Sequence, residues 1–457
     1  MMIKVKEVNI KFNPFEVYNV FKNEINTILL DSSKDDESLS KYSFIGLNPY
    51  LLFEAKGNEC YINKEKVQGN PFEVLEKLVS KYKFTMEEYK EIPLLSGAIG
   101  YISYDAARGI EEIPNTSKED FNINDISFAF YKNIIVFDLK NNRQYITSLD
   151  GIEEEIENIL SVINKNTVEI NYNKDIIKAE LSKDDYSKFS SNFTKEEYKS
   201  AITRLKNYIV SGDVYIANMT QRFTIDNKEN GFDIYKKLRS INKAPFSAYV
   251  NFEDLEIISS SPERFIEVKD RKVITRPIKG TRPRGKNKEE DIKNSLELIN
   301  SEKDKAELLM VVDLERNDLS KVCKPHSVKV TELFKLEKYA TVFHLVSTVE
   351  GTLKENISAV KCIKECFPGG SITGTPKIRS MEIIEELEGL KRNIYTGIIG
   401  YFDFRGNADF NIAIRTIVKK DNKAYFGVGG GITFDSIEED EYLETIDKAK
   451  ALMKVLL

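Results

Sequence analysis

Ser301-Glu-Lys-Asp304-Lys-Ala-Glu307-Leu308-Leu309-Met310-Val311-Val312-Asp-Leu-Glu-Arg-Asn-Asp318 carries two signals at once. Its apolar centre, Leu308 to Val312, reads as a buried helix, and such a helix needs a second layer to cover it. Asp304 and Glu307 stand three residues apart, a spacing that puts both carboxylates on one helix face. The same pairing recurs at the C-terminus, in Glu439-Asp-Glu441-Tyr-Leu443-Glu444-Thr-Ile446-Asp-Lys448-Ala449 and the residues that follow to Leu457. There Leu443, Ile446, Ala449 and Met453 form an apolar stripe, and Glu441 and Glu444 share a face. Hard divalent cations want oxygen ligands, and Mg²⁺ commonly takes one or two carboxylates while keeping waters for its substrate. For either helix alone, a solvated acidic face is the plainer reading, and Glu444 with Lys448 also fits an ordinary helix salt bridge.

Outward from these helices, the second half is mixed. Lys195 to Val210 repeats apolar residues at helical spacing and ends in the turn pair Ser211-Gly212. Strand-like runs follow at 247–251, 255–259 and 264–268. Glycines cluster at Gly369-Gly370, Gly397 to Gly400 and Gly427 to Gly431, beside apolar runs, where backbone must approach something closely. The first half is rich in short β-type runs (26–30, 50–54, 97–104, 127–130, 134–138), with a helix over 72–81. From 151 to 194 the chain turns polar around one amphipathic segment, 152–163, and reads as a connection. The expected organisation is an N-terminal region 1–150, a connecting segment 151–194 and a catalytic region 195–457.

Composition excludes several classes. The 457 residues are 41% hydrophobic and 31% charged, values of a soluble globular protein. A net charge of −6, with basic residues spread along the chain, argues against nucleic acid as a partner. No apolar stretch approaches the roughly 20 residues of a membrane span. The N-terminal residues lack the apolar core of a secretory signal. A cytoplasmic protein is expected. Cys60, Cys323, Cys362 and Cys366 read as free thiols, since two histidines in the whole chain make a zinc site a poor guess.

Two further segments bear chemistry. Thr275-Arg276-Pro277-Ile278-Lys279-Gly280-Thr281-Arg282-Pro283-Arg284-Gly285 sets four cations in a stiff turn able to neutralise an anion. Lys279, between Ile278 and Gly280, is the one cation whose amine gains from partial desolvation, the route by which a lysine becomes a nucleophile. For a lone lysine, a plain surface role is the commoner fate. The run Phe367-Pro368-Gly369-Gly370-Ser371-Ile372-Thr373-Gly374-Thr375-Pro376-Lys377 fails as a phosphate loop because Thr375 and Pro376 separate Gly374 from Lys377. Its amides, opening a helix over 379–387, remain suited to a carboxylate.

Taken together, these motifs resemble the chorismate-utilising enzymes: anthranilate synthase component I, aminodeoxychorismate synthase component I, and the isochorismate and salicylate synthases. The matching runs, in order, are Ser261-Pro262-Glu263-Arg264-Phe265, RPIKGTRPRG (276–285), KAELLMVVDLERNDL (305–319), HLVSTVEG (344–351), FPGGSITGTPKIRSMEII (367–384), YTGIIGYF (395–402), NIAIRT (411–416), GVGGGI (427–432) and EYLETIDKAKAL (441–452). They span 195 to the C-terminus. LLDSS (29–33) and GAIGYISYD (97–105) extend a looser likeness into the first half. The resemblance implies an α+β fold of large antiparallel β-sheets packed as a sandwich with helices outside.

It also implies roles. Glu307 and Glu444 would be the chief Mg²⁺ ligands, completed by Asp304 and Glu441. Tyr395, Arg415, Thr373, Lys448 and the backbone at Gly429 and Gly430 would contact chorismate. Glu263 would be the general acid, with His344 near the ring as a positioning or proton-handling group and His326 structural. Members that add water use a lysine as base where Gln221 is expected here, and a neutral amide cannot serve. Lysine in PIKGT, where anthranilate synthases carry alanine, resembles the aminodeoxychorismate synthase component I branch; anthranilate synthase component I is the alternative. Ammonia would come from a glutamine amidotransferase subunit. Asp31, Ser32, Pro245 and Phe246 resemble the pocket where family members hold tryptophan, although core packing accounts for Asp31 and Ser32 equally well.

Overall fold

The computed structural model describes residues 3–33, 41–170, 180–339 and 342–457. Part of the connecting segment, 171–179, therefore lies outside the described residues. Strands from both halves join one antiparallel system. Thr27–Asp31 pairs with Phe246–Phe252, and Gly97–Ile102 pairs with Ile398–Asp403. The sheet is thus continuous across residues 150 and 195.

Many strands bury both faces, because successive side chains point to opposite sides. Ile257 lies in one apolar cluster and its neighbour Ile258 in another. Ala248 and Val250 likewise part from Tyr249. Such strands read as continuous apolar runs rather than as alternations. The cluster containing Ile28, Phe44, Ile99, Ile257 and Val418 draws on strands and loops without a helix. It is the layer between sheet faces. The other large clusters are helix on sheet: one covers the helices Pro71–Lys81, Glu302–Val322 and Ala359–Cys366, the other Pro14–Phe21, Gly231–Ile241 and Glu438–Leu456. This is the α+β architecture with outer helices that the motifs imply.

Local signals hold well. The helix Lys195–Val210 opens with a capping box in which Thr194 and Glu197 satisfy each other's free N–H groups. Ser301 caps Glu302–Val322 by accepting from the Asp304 amide at 3.2 Å. Two details differ from expectation. Leu309 and Leu443 are half exposed. The buried stripe of the last helix runs instead through Thr445, Ala449, Leu452 and Met453. All four cysteines are buried and free. Among the described residues no helix is long and apolar enough to cross a membrane.

Phe128 is fully buried, its ring 5.4 Å from Phe402 and 6.2 Å from Phe410. Phe128→Ala is expected to destabilise the fold by about 3–5 kcal/mol. An unchanged urea-unfolding midpoint would show that this helix-covered cluster does not carry the stability assigned to it.

Candidate active site

Three segments converge at one place. The paired strands Ile216–Asp226 and Lys423–Ile432 run antiparallel with Asn218 opposite Gly431 and Thr220 opposite Gly429. The strand Ile278–Pro283 brings Lys279 against them. A β-carbon at Gly431 would stand 3.4 Å from Lys279 Nζ, and one at Gly430 would stand 3.2 Å from Glu441 Oε2 and 3.4 Å from Glu444 Oε1. On the other side of Lys279, Gly280 (φ +75°) lies against Asp304, where a β-carbon would approach within 2.9 Å of the carboxyl. Glycine is required at 280 by backbone conformation and at 429 by space, since a β-carbon there would stand 2.4 Å from the Met219 carbonyl oxygen.

Lys279, half-buried, donates to the Ser371 carbonyl at 3.2 Å. The expected anion-binding cation cluster does not form. Arg276 pairs with Glu337 (2.6 Å), Arg282 with Glu297 (2.8 Å) and Asp304 (3.0 Å), and Arg284 with Asp291 (2.7 Å). The segment from 278 is a strand rather than a turn, and its arginines are neutralised by carboxylates reaching in from neighbouring elements. Lys279 therefore sits among carboxylates, not among cations.

The four predicted carboxylates share one electrostatic neighbourhood. Burial pushes the Glu307 carboxyl up; Lys279 and Lys303 oppose this, while Asp304 and Glu441 add to it. Burial likewise raises Glu441, partly offset by Ser436, which donates to it at 2.7 Å, with the charge of Glu444 adding to the rise. Partial burial pulls Glu444 up, but Lys448 at 2.6 Å outweighs it and the net shift is down. Glu307 has no hydrogen bond or ion pair among the described residues. A divalent cation suits this donor set, which is all carboxylate oxygen and is only partly compensated. As the side chains lie, no three Asp, Glu, His or Cys groups among the described residues form a ready cation cage. Asp304, Glu441 and Glu444 are each engaged by Arg282, Ser436 and Lys448.

Glu263 is buried. Burial raises its carboxyl, and Ser371, Lys279, the Ile278 amide (3.4 Å) and Arg415 oppose the rise. Arg415 is half-buried at φ +51°, and desolvation lowers its guanidinium against the pull of Tyr339 and Glu263. His344 pairs across the ladder with Thr281, whose hydroxyl lies 2.9 Å from Nδ1, and the Tyr339 ring meets it edge-on at 4.9 Å. His326 is exposed in a turn at φ +61°. Tyr395 packs its ring against Gly427, on the same strand face as Gly429 and Gly431. The Thr373 hydroxyl closes its own turn onto the Gly369 carbonyl at 2.9 Å, and Lys448 donates to the Gly429 carbonyl at 2.8 Å.

Gln221 is not brought to Lys279. It lies on the opposite pleat from Asn218 and Thr220; its amide accepts from Ser191 (2.9 Å) and donates to Thr445. The β-carbon position of Gly431 that meets Lys279 Nζ is met by Ile216 and Asn218 of this strand as well.

Sequence reasoning missed the joint beneath the cavity. Arg392 and Glu388 are almost wholly buried and paired at 2.7 Å. Arg392 donates to the carbonyls of Ile372 (2.9 Å) and Asn218 (3.0 Å), and Glu388 accepts from the Thr220 amide (2.9 Å) and hydroxyl (2.8 Å). Their four-residue spacing was the available signal.

Asp31, Ser32, Pro245 and Phe246 line a separate cavity of ≈ 450 Å³ with Arg264, Tyr401 and Asp409. Asp31 accepts from Tyr235 (2.9 Å) and Arg239 (2.6 Å) through one oxygen, while its other oxygen is buried without a partner. Ser32 donates to the carbonyls of Tyr42 (2.7 Å) and Pro245 (3.2 Å).

The profile of the family described as "chorismate binding enzyme" matches residues 26–454. The chain belongs to the chorismate binding enzymes. It is 37% identical to anthranilate synthase component 1 of Acetivibrio thermocellus over 97% of this chain and 92% of that protein. It is also 37% identical to aminodeoxychorismate synthase component 1 of Bacillus subtilis over 94% of this chain and 91% of that protein. The crystal structure of anthranilate synthase component I from Streptococcus pneumoniae superposes with a TM-score of 0.79 at 31% identity, covering 90% of this chain and 92% of that one. Relatives of both names thus stand at equal identity.

Two outcomes test the buried charges around this site. Glu388→Ala strands a buried guanidinium and is expected to cost about 3–5 kcal/mol of stability; a shift below about 1 kcal/mol in chemical denaturation would refute its role as the joint. The second concerns Glu315, which burial pushes up to about 8, Thr275 opposing the rise and Glu263 and Asp318 adding to it. Between an unfolded value of about 4.3 and about 8 the folded protein keeps a proton that the unfolded chain has lost, so stability falls as pH rises through this window. The melting-temperature advantage of Glu315→Gln should therefore grow from pH 5 to pH 8 and level off above; a pH-independent gap contradicts it.

Proposed function

We propose that the chain is the chorismate-binding subunit of an aminodeoxychorismate synthase, using ammonia from a glutamine amidotransferase partner to make 4-amino-4-deoxychorismate. The observation that carries this reading is the place of Lys279: a half-buried amine at the glycine face of the cavity, within electrostatic reach of buried Glu263. In this reading the Lys279 amine bonds to C2 of chorismate as the ring double bonds shift. The C4 hydroxyl then leaves as water with the proton of Glu263. Ammonia next bonds to C4, and the C2–N bond breaks, returning the pair to lysine. The enolpyruvyl group is retained throughout.

The environment supports the division of labour. Desolvation favours the acid form of Glu263, as a proton donor requires. Tyr395, half-buried Arg415 and the backbone of Gly429 and Gly430 would hold a carboxylate of the substrate, with His344 positioned by Thr281. Asp304, Glu307, Glu441 and Glu444 would hold Mg²⁺, which when bound supplies electrostatic stabilisation to the carboxylate of the substrate. The second cavity, with its unpartnered Asp31 oxygen, suits the ammonium group of an amino acid, and tryptophan is the proposed ligand.

Anthranilate synthase component I is the competing reading, favoured by the relatives and the solved structure that carry that name. Incubation with chorismate, Mg²⁺ and ammonium separates them. Aminodeoxychorismate without pyruvate is expected; anthranilate with equimolar pyruvate would overturn the assignment. Lys279→Ala is expected to lower product formation at least about 100-fold, with chorismate affinity by calorimetry little changed. Full activity in that variant would remove lysine from the chemistry.

A further inference from the structure

Lys279 lies among carboxylates and is paired with none. Its charge is felt at Glu263, Glu307 and Glu444. Among the described residues, however, its one hydrogen bond is the 3.2 Å contact to the Ser371 carbonyl. An amine that closed onto a carboxylate would be held as ammonium, and an ammonium nitrogen has no electron pair to offer C2. A neutral acceptor avoids that trap, provided it stays where the amine can reach it.

Asn218 holds the acceptor in place. Its Nδ2 donates to the same Ser371 oxygen at 2.8 Å, so one carbonyl carries the amide and the amine together. A carbonyl oxygen has two lone pairs, and both are then used. Turned the other way, the amide would set its own oxygen against that carbonyl. Oδ1 is therefore left facing the niche above Gly431, where a β-carbon would stand 3.4 Å from Oδ1 and 3.4 Å from Lys279 Nζ. Ser371 itself sits in a single tight turn, Gly370–Ile372, too short for a ladder of its own to fix the carbonyl. Asn218 is anchored by contrast: its N–H donates to the Thr373 carbonyl at 2.7 Å, its carbonyl accepts from buried Arg392 at 3.0 Å, and it lies opposite Gly431 in the ladder.

We propose that Asn218 is the positioning residue for Lys279. It fixes the Ser371 carbonyl as a neutral acceptor, which keeps the amine off the surrounding carboxylates and free to meet the substrate. The role rests on Lys279 being the nucleophile, and the test keeps the two apart.

kcat and KM for chorismate are measured with Mg²⁺ and saturating ammonium in Asn218→Leu, in the same-shaped Asn218→Asp, and in Asn218→Leu combined with Lys279→Ala. Asn218→Leu is expected to lower kcat about 10- to 100-fold with KM within about twofold. Asn218→Asp should fall at least as far, because its carboxylate offers the amine the ion pair that the amide withholds. A packing role would make that variant the milder one. In the Lys279→Ala background, Asn218→Leu should change kcat by less than about twofold, since no amine is left to position. A full additive loss in that background overturns the role, as does an Asp variant nearer the unaltered chain than the Leu variant. So does a kcat in Asn218→Leu within about twofold of the unaltered chain. Full activity in Lys279→Ala alone sinks nucleophile and positioning residue together, whereas loss there with undiminished Asn218 variants sinks only Asn218.

Discussion

Glu388 ends the helix Lys377–Glu388 and Arg392 returns to it from beyond the left-handed Gly389, and between them they bind the carbonyls of Ile372 and Asn218 and the amide and hydroxyl of Thr220. Neither charge has access to water, so each is tolerable only with the other in place. The pair therefore holds three otherwise separate pieces in register: the strand carrying Asn218, the turn carrying Ser371, and the loop leading to Tyr395. Lys279 bonds to the Ser371 carbonyl, so even the proposed nucleophile is located through this joint.

Above it, the cavity face is shaped by what glycine lacks. Gly427, Gly429 and Gly431 share one pleat, with Tyr395, Thr220 and Lys279 occupying the space side chains would take. Gly430, on the other pleat, lets Glu441 and Glu444 of the last helix close in. One strand thus passes between an amine and two carboxylates and presents only backbone to them.

Charge balance completes the arrangement. The arginines that flank Lys279 in the chain are each matched to a carboxylate from elsewhere, which leaves the lysine facing Glu263, Glu307 and Glu444. The long helix 302–322 presents Asp304 and Glu307 near its start to this cavity. Two turns on, it presents Glu315 to the buried hairpin that bears Glu263.

The sequence alone indicated many of the elements and the residue types able to carry chemistry. Helical spacing and capping chemistry are local, so Lys195–Val210 and the carboxylate pairs at 304/307 and 441/444 were legible, and the ordered motifs named the family. Only the tertiary structure decided which charges meet. It turned the cationic stretch into a strand of neutralised arginines, moved Gln221 to the far pleat, and exposed Leu309 and Leu443. It also revealed the Arg392–Glu388 joint and the isolated carboxyl of Glu315. Partners for a buried charge come from elements far apart in the chain, and in a strand with both faces buried the pattern of side chains no longer tells which face is which.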